Sequence, residues 1–334
     1  MEIRLKPIED QVVVITGASS GIGLATARLA VERGARVVLV SRNESALETI
    51  AGDLNAMGER AAYVAGDVAD EQVHREAADL AEAKFGGIDT WINNAGVSIY
   101  GELTRIPVDD ARRLFETNYW GVVNGSKIAV ERMRSRGGAL INIGSVLSDL
   151  AMPLQGHYAA SKQAVKGFTD ALRMELEHAG APLAVTLVKP TSIATPYPQH
   201  ARNYMDAEPT TPPPVYHPDV VARTILACAE KPTRDILVGG GARMMSTMSM
   251  TPRLADRYLE ATGFDQQKTD SVAQHGNDIL YSPSPAAMYG RTLGEHPSHV
   301  MKTSMYTAAA MNPVLTAAGA LAAVTAFRAL RGRH

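Results

Sequence analysis

The chain has 334 residues, 46% of them hydrophobic and 20% charged, with a formal net charge of −2. That length suits one large α/β domain or two small ones, and the near-zero charge excludes the global basic field that draws nucleic acid. The single cysteine, Cys228, excludes an intramolecular disulfide and fits a reducing, cytoplasmic compartment; its apolar helical surroundings predict a buried thiol.

Residues 1–6 are charged and lead quickly into a strand, unlike a secretory signal. Val12-Val13-Val14-Ile15 is a continuous β-branched run, as a strand buried on both faces requires. It feeds Thr16-Gly17-Ala18-Ser19-Ser20-Gly21-Ile22-Gly23, and an apolar helical pattern follows over 24–33. Strand, glycine turn and helix in that order are what a dinucleotide site needs. Glycines let the backbone turn tightly and approach a pyrophosphate resting on the helix N-terminus. The spacing is G-x-x-x-G-x-G rather than G-x-G-x-x-G.

A second strand over 36–40 ends in Ser41-Arg42. An acid at this place would bond the 2′-OH of NAD; a guanidinium instead pairs with a 2′-phosphate, so NADP(H) is favoured over NAD(H). A helix is predicted over 43–58 and a third strand over 60–65, closed by Gly66-Asp67-Val68. Asp67 could accept from an adenine amine or cap a turn. Asp70 is a candidate N-cap for the next helix. The fourth strand, 88–92, is followed by Asn93-Asn94-Ala95-Gly96, a small polar run that faces the ligand crevice of an open sheet.

The stretch 107–133 reads as one long helix with Asn118 in its middle, where asparagine implies a buried hydrogen bond or a site. The fifth strand, 140–143, ends in Gly144-Ser145, and Ser148 competes with Ser145 for a role near a substrate oxygen. Tyr158 and Lys162 stand four apart on a predicted helix and so share a face. A tyrosine beside a cation can exchange a proton with an alcohol or carbonyl. A sixth strand spans 183–188, and residues 197–214, rich in proline and threonine, suggest a mobile lid. A helix over 219–230 and a seventh strand over 235–238 complete an alternating βα pattern. The expected fold is an α/β Rossmann-type doubly wound parallel sheet of about seven strands.

Residues 16–23, Asn93 to Gly96, Asn118, Ser145, and Tyr158 with Lys162 together resemble the short-chain dehydrogenase/reductase family, over roughly residues 8–240. The resemblance implies reversible hydride transfer between an alcohol and a ketone or aldehyde. Within it Tyr158 is the acid/base and Lys162 lowers its pKa while bonding the nicotinamide ribose. Ser145 polarises the substrate oxygen, and Asn118 holds a water linking Lys162 to solvent. It further implies that Gly17, Ser19, Ser20, Gly21, Ile22 and Gly23 shape the pyrophosphate site. Ser41, Arg42, Asp67, Val68, Asn94, Ala95 and Gly96 then line the adenosine side, while Pro190, Ile193 and Thr195 hold the nicotinamide. Where the family has Pro-Gly, this chain has Pro190-Thr191, so a different local turn is expected. Tyr100, Leu150, Met152, Leu154 and Tyr197 favour a moderately apolar small-molecule substrate. A homo-oligomer, dimer or tetramer, is expected. A same-fold epimerase or dehydratase, or a binding scaffold without turnover, are the competing readings.

The catalytic domain is expected to span 1–262, followed by an irregular linker-like segment, 263–305, and an apolar helix with a basic end, 306–334. Met244, Met245, Met248 and Met250 are read as packing residues. His275, His296 and His299 lack metal-ligand spacing, so no metal is expected. The stretch 314–327 is uncharged and is followed by Arg328, Arg331 and Arg333, a pattern open to packing on the domain, to an oligomer contact, or to peripheral contact with an anionic membrane through 314–334.

Overall fold

A computed structural model gives the structure of the protein and describes residues 3–56, 58–274, 276–283, 289–297, 299–312 and 316. Seven strands form one parallel sheet: β1 (Val12–Thr16), β2 (Arg36–Ser41), β3 (Ala61–Ala65), β4 (Thr90–Asn93), β5 (Gly138–Ile143), β6 (Leu183–Pro190) and β7 (Asp235–Val238). Their order across the sheet is β7-β6-β5-β4-β1-β2-β3. The order reverses between β1 and β4, which opens a crevice at the carboxyl ends of these two neighbours.

The β-branched runs alternate between two cores. Val13, Ile15, Val37 and Leu39 pack beneath α1 (Gly21–Glu32), α2 (Glu44–Asn55) and a helix introduced below as α8. Val12, Val14, Val38 and Val40 pack on the other face, beneath α3 (Glu71–Phe85) and the helices that follow β4 and β5. Each strand is therefore apolar on both sides, as its sequence requires. Asp70 caps α3, its side chain accepting from the Gln72 N–H at 2.9 Å.

The stretch expected as one helix is interrupted. α4 (Val108–Phe115) passes through a π-turn, Glu116–Trp120, into α5 (Gly121–Met133). The wide turn carries Asn118, and such insertions re-aim one side chain without ending the helix. α6 (Gly156–His178) carries Tyr158 and Lys162. After β6 come a short turn, α7 (Tyr197–His200), then α8 (Pro218–Glu230), α9 (Gly240–Met248) and α10 (Pro252–Thr262). Cys228 is buried in α8, which pushes its thiol up to about 11, the mark of a packing residue.

Two expectations meet a different outcome. The supposed lid, 197–214, is pinned: the Arg202 N–H donates to the Ser98 carbonyl at 3.0 Å and the Tyr204 N–H to that of Tyr100 at 2.7 Å. Described residues of the stretch expected to be linker-like, 263–305, are anchored as well. Its Lys268–Val272 strand pairs antiparallel with Ala207–Pro209, and its Val300–Met301 strand pairs parallel with Val215–Tyr216. Short segments with few apolar residues gave no period to read, yet each pairs with another short segment into a two-stranded sheet. α11 (Met305–Met311) docks on α8 and α9, with the Gly239 N–H donating to Thr307 Oγ1 at 2.9 Å. The apolar stretch 314–327 lies outside the described residues except Thr316. No described helix is long and apolar enough to cross a membrane.

Candidate active site

The crevice between β1 and β4 holds the residues that the glycine turn and the tyrosine–lysine pair single out. Gly17 and Gly21 take left-handed φ values of 67° and 55°, which side chains resist. Gly23 is closed to any larger residue because a Cβ there would collide with the Gly17 carbonyl and lie 2.6 Å from Asn94 Nδ2. That Asn94 amide in turn donates to the carbonyls of Thr16 at 2.9 Å and Gly17 at 3.1 Å, holding the turn against the end of β4. Among the described residues, the N–H groups of Ile22 and Gly23 have no protein acceptor. They sit where the positive end of the α1 dipole meets an anion.

Of the residues expected to meet a cofactor, all except Gly23 line this one cleft, from Ser41 and Arg42 through the glycine turn to Pro190, Ile193 and Thr195. Gly23 sits one layer behind, fixing the turn. Asp67 lines the cleft but is already engaged: its carboxylate accepts from the Ala69 N–H at 3.0 Å and pairs with Arg113. It caps the turn, one of its two readings. Burial lowers the Arg42 pKa, opposed by Asp67, and its guanidinium donates to backbone carbonyls of Ile279 and Leu280. Thr191 needs no left-handed φ; its side chain fits against Gly239, where a Cβ would clash with it.

Tyr158 lies in the first turn of α6, one turn before Lys162, whose ammonium is 5.7 Å from the phenol ring centre. Lys162 is 3% exposed and donates to the Ile143 carbonyl at 2.8 Å, which ties α6 to the end of β5. Desolvation pushes Tyr158 up to about 12, while hydroxyls of Tyr197 and Ser145 hold it down. Desolvation takes Lys162 down to about 8. Burial thus disfavours the charged form of both groups, with the Lys162 ammonium held against the Tyr158 ring.

Ser145 caps a short turn, Val146–Ser148: its Oγ accepts from the Leu147 N–H at 3.1 Å, and the residue lines the cleft. Ser148, the competitor, accepts the Ser145 N–H on its own Oγ at 3.2 Å. Asn118 is fully buried behind the cleft. Its Oδ1 accepts from the Val97 N–H at 2.8 Å; its amide donates to the Val97 carbonyl at 2.9 Å and to Ser161 Oγ at 3.1 Å. It ties the segment after β4 to α6 beside Lys162.

Sequence reasoning placed Tyr197 only as an apolar wall. Its ring meets that of Tyr158 edge to face at 5.4 Å, and its hydroxyl bonds Ser98 Oγ at 2.7 Å and Gln155 Oε1 at 3.0 Å. Neither Ser98 nor Gln155 carries a motif that could have flagged it. Tyr100 and Leu154, expected near substrate, are buried beneath Tyr197 instead, and the outer wall is made by Leu147, Met152, Met244, Met245, Tyr258 and Leu259. Met245 packs with Leu147, Met152 and Leu259, whereas Met250 is 80% exposed. His200 also lines the cleft; its Nε2 is buried with no partner among the described residues, and burial lowers its pKa to about 4.

Comparison with known proteins gives a consistent picture. A family model described as short chain dehydrogenase matches residues 11–205. The chain is 40% identical to the uncharacterized oxidoreductase YxnA of Bacillus subtilis over 95% of its own length and 90% of that protein. It is 31% identical to the putative oxidoreductase SadH of Mycobacterium tuberculosis over 78% of this chain and 97% of that one. It is 35% identical to dehydrogenase/reductase SDR family member 7B of Bos taurus over 78% of this chain and 84% of that one. Among solved structures, an alcohol dehydrogenase from the archaeon Thermococcus sibiricus, complexed with 5-hydroxy-NADP, superposes with a TM-score of 0.60 at 23% identity, covering 68% of this chain and 95% of that one. The last of these speaks to the fold.

Proposed function

The chain belongs to the short-chain dehydrogenase/reductase family of oxidoreductases, which bind NAD(P), and from that premise we propose that it interconverts an alcohol and a ketone or aldehyde with NADP(H) in preference to NAD(H). One observation carries the reading: Tyr158, Ser145 and Lys162 line the same cleft as the glycine turn and Arg42. An epimerase or dehydratase, or a scaffold without turnover, has no comparable observation in its favour.

The residues present fit the dinucleotide. The amides of Ile22 and Gly23, without a protein acceptor among the described residues, and the tightly packed Gly17 and Gly23 suit a pyrophosphate, and Arg42 suits a 2′-phosphate. When bound, the nicotinamide supplies or accepts the hydride. The chain supplies the proton and the geometry. In reduction Tyr158 gives its phenolic proton to the carbonyl oxygen, with Ser145 donating to that oxygen as negative charge grows. Lys162, fixed by the Ile143 carbonyl, stays against the Tyr158 ring, where it would hold the ribose of a bound nucleotide. The methionine- and tyrosine-lined outer wall excludes water and selects a moderately apolar substrate. Dimeric or tetrameric assembly is part of this proposal, to be read by sedimentation.

Loss of NADPH absorbance with ketones, aldehydes and acyl thioesters, and its gain from NADP(+) with sterols, tests the reading. Turnover with one carbonyl class supports it. Cofactor binding without turnover on any of them would favour the scaffold.

A further inference from the structure

The cleft has a roof that the family match, ending at residue 205, does not include. Two stretches of the C-terminal extension lie over its two ends. The first, 278–281, docks beside Arg42. Its Ile279 and Leu280 carbonyls accept from the Arg42 guanidinium, and the Leu280 carbonyl also accepts from Arg113 Nε at 3.0 Å. The Leu280 side chain is fully buried against Val97, Ile99, Ile106 and Leu114. Asp278 pairs with Arg202 at 3.0 Å, and Tyr281 donates to Asp110 at 2.7 Å.

The second stretch, 289–296, docks on the glycine turn. The Gly290 N–H donates to the Ser19 carbonyl at 3.0 Å, and the Gly21 N–H donates to the Arg291 carbonyl at 3.0 Å. Arg28 reaches the Gly290 carbonyl at 3.2 Å. Further on, the Gly294 N–H donates to the Ala194 carbonyl at 3.1 Å, so close to Thr195 that a Cβ on Gly294 would strike the Thr195 carbonyl. Ile279 and Tyr289 both line the cleft. So does His200, whose carbonyl accepts from the Ile279 N–H at 3.0 Å and whose buried Nε2 has no partner among the described residues. A buried polar atom of this kind marks a place for a polar ligand atom.

We propose that residues 278–281 and 289–296 form an intrinsic clasp on the dinucleotide site. The clasp walls the adenosine and pyrophosphate half with Ile279 and Tyr289, holds Arg42 for the 2′-phosphate, and must lift before cofactor can exchange. The stretch on the glycine turn is held largely by backbone hydrogen bonds of Gly290, Arg291 and Gly294, which open at low cost relative to a core. The match to YxnA spans 95% of this chain and so takes in this extension. The inference about Arg42 rests on the NADP(H) reading; the wall and the gate do not.

The test uses the full-length protein and reads binding rather than turnover. Release of NADPH and of NADH is followed by stopped-flow displacement for the native chain, Leu280→Ala, Gly294→Ala and Arg42→Ala. Losing the buried anchor in Leu280→Ala, or wedging the clasp with Gly294→Ala, is expected to speed release of both cofactors by about tenfold or more. In the native chain, NADP(+) is expected to slow amide hydrogen exchange at Leu280 and Gly290, a readout that stands even if a variant folds poorly. Unchanged release rates together with unchanged exchange overturn the clasp. Tighter cofactor binding in either clasp variant also overturns it, since the extension would then occupy the cofactor's place. Arg42→Ala separates the two readings: equal weakening of NADPH and NADH sinks the 2′-phosphate assignment and leaves the clasp standing on the other variants.

Discussion

The phenol rings of Tyr158 and Tyr197 meet edge to face at 5.4 Å and 63°, and the Tyr197 hydroxyl is one of the two that hold the Tyr158 pKa down. Tyr197 is itself fixed by Ser98 and Gln155, and Gln155 by Gln267 at 2.6 Å. Removing the hydroxyl in Tyr197→Phe should keep the ring contact and let the Tyr158 pKa rise further. Hydrogen bonds to a charged group are worth about 1.5–3 kcal/mol, so alcohol oxidation at neutral pH should slow by roughly tenfold or more, with the rising limb of the kcat/KM profile, which needs the phenolate, moved to higher pH. A profile unchanged in position would show that Tyr197 does not act on the phenolate.

Tyr158→Phe removes the proton donor and little else, since the ring contacts with Tyr197 and Lys162 do not need the oxygen. Acid–base groups contribute about 10²–10⁴ in rate. Turnover should fall by that order while NADPH titrated by fluorescence binds within a few-fold of the native affinity. Retained turnover would remove Tyr158 from its assigned role.

The seven strands, their parallel order and the position of the cleft were legible because buried β-branched runs and a glycine turn are local patterns. So were Tyr158, Lys162, Ser145 and Gly17, whose spacing or flanking strand carries the signal. The π-turn at Glu116–Trp120 was not: Asn118 stood out only as a poor helix former, and a one-residue widening leaves no period behind. The partners Ser98, Gln155 and His200 were invisible because they reach the cleft from three separate segments with no shared pattern. The stretch 263–305 showed no period for a related reason: several contacts of its described residues are made by backbone groups, such as the carbonyls that accept from Arg42 and the amides that donate to Ser19 and Ala194, and these leave no pattern in the side chains.

Lys162 carries a stability cost that pH should reveal. Its pKa is about 8 in the folded protein against about 10.4 for a free lysine. Between these values the unfolded chain binds more protons, so stability rises with pH there, and the full cost of the buried charge is present below pH 8. Lys162→Met should raise stability at neutral pH by about 1–3 kcal/mol, a gain that fades above pH 10, while activity is lost. Urea midpoints across that range check the sign; a variant less stable at neutral pH would mean that the bond to the Ile143 carbonyl outweighs the desolvation.

His200 gives the opposite end of the pH scale a specific expectation. Its imidazole is buried with an unpartnered Nε2, and burial depresses its pKa to about 4 from about 6.5 in an unfolded chain. A base whose folded pKa is depressed contributes full stability above pH 6.5 and loses it as pH falls toward 4, because the unfolded chain takes up the proton first. The loss from this one group amounts to at most about 3 kcal/mol. His200→Leu should flatten the stability profile between pH 6.5 and 4 by close to one proton, measured as the slope of the unfolding free energy against pH. The same slope in native and variant protein would place the acid lability elsewhere. Bound NADP(+) adds a second arm. If a ligand oxygen accepts from Nε2, the imidazole with that nitrogen protonated is favoured, and the His200 titration followed by NMR should move up toward neutrality when cofactor is added.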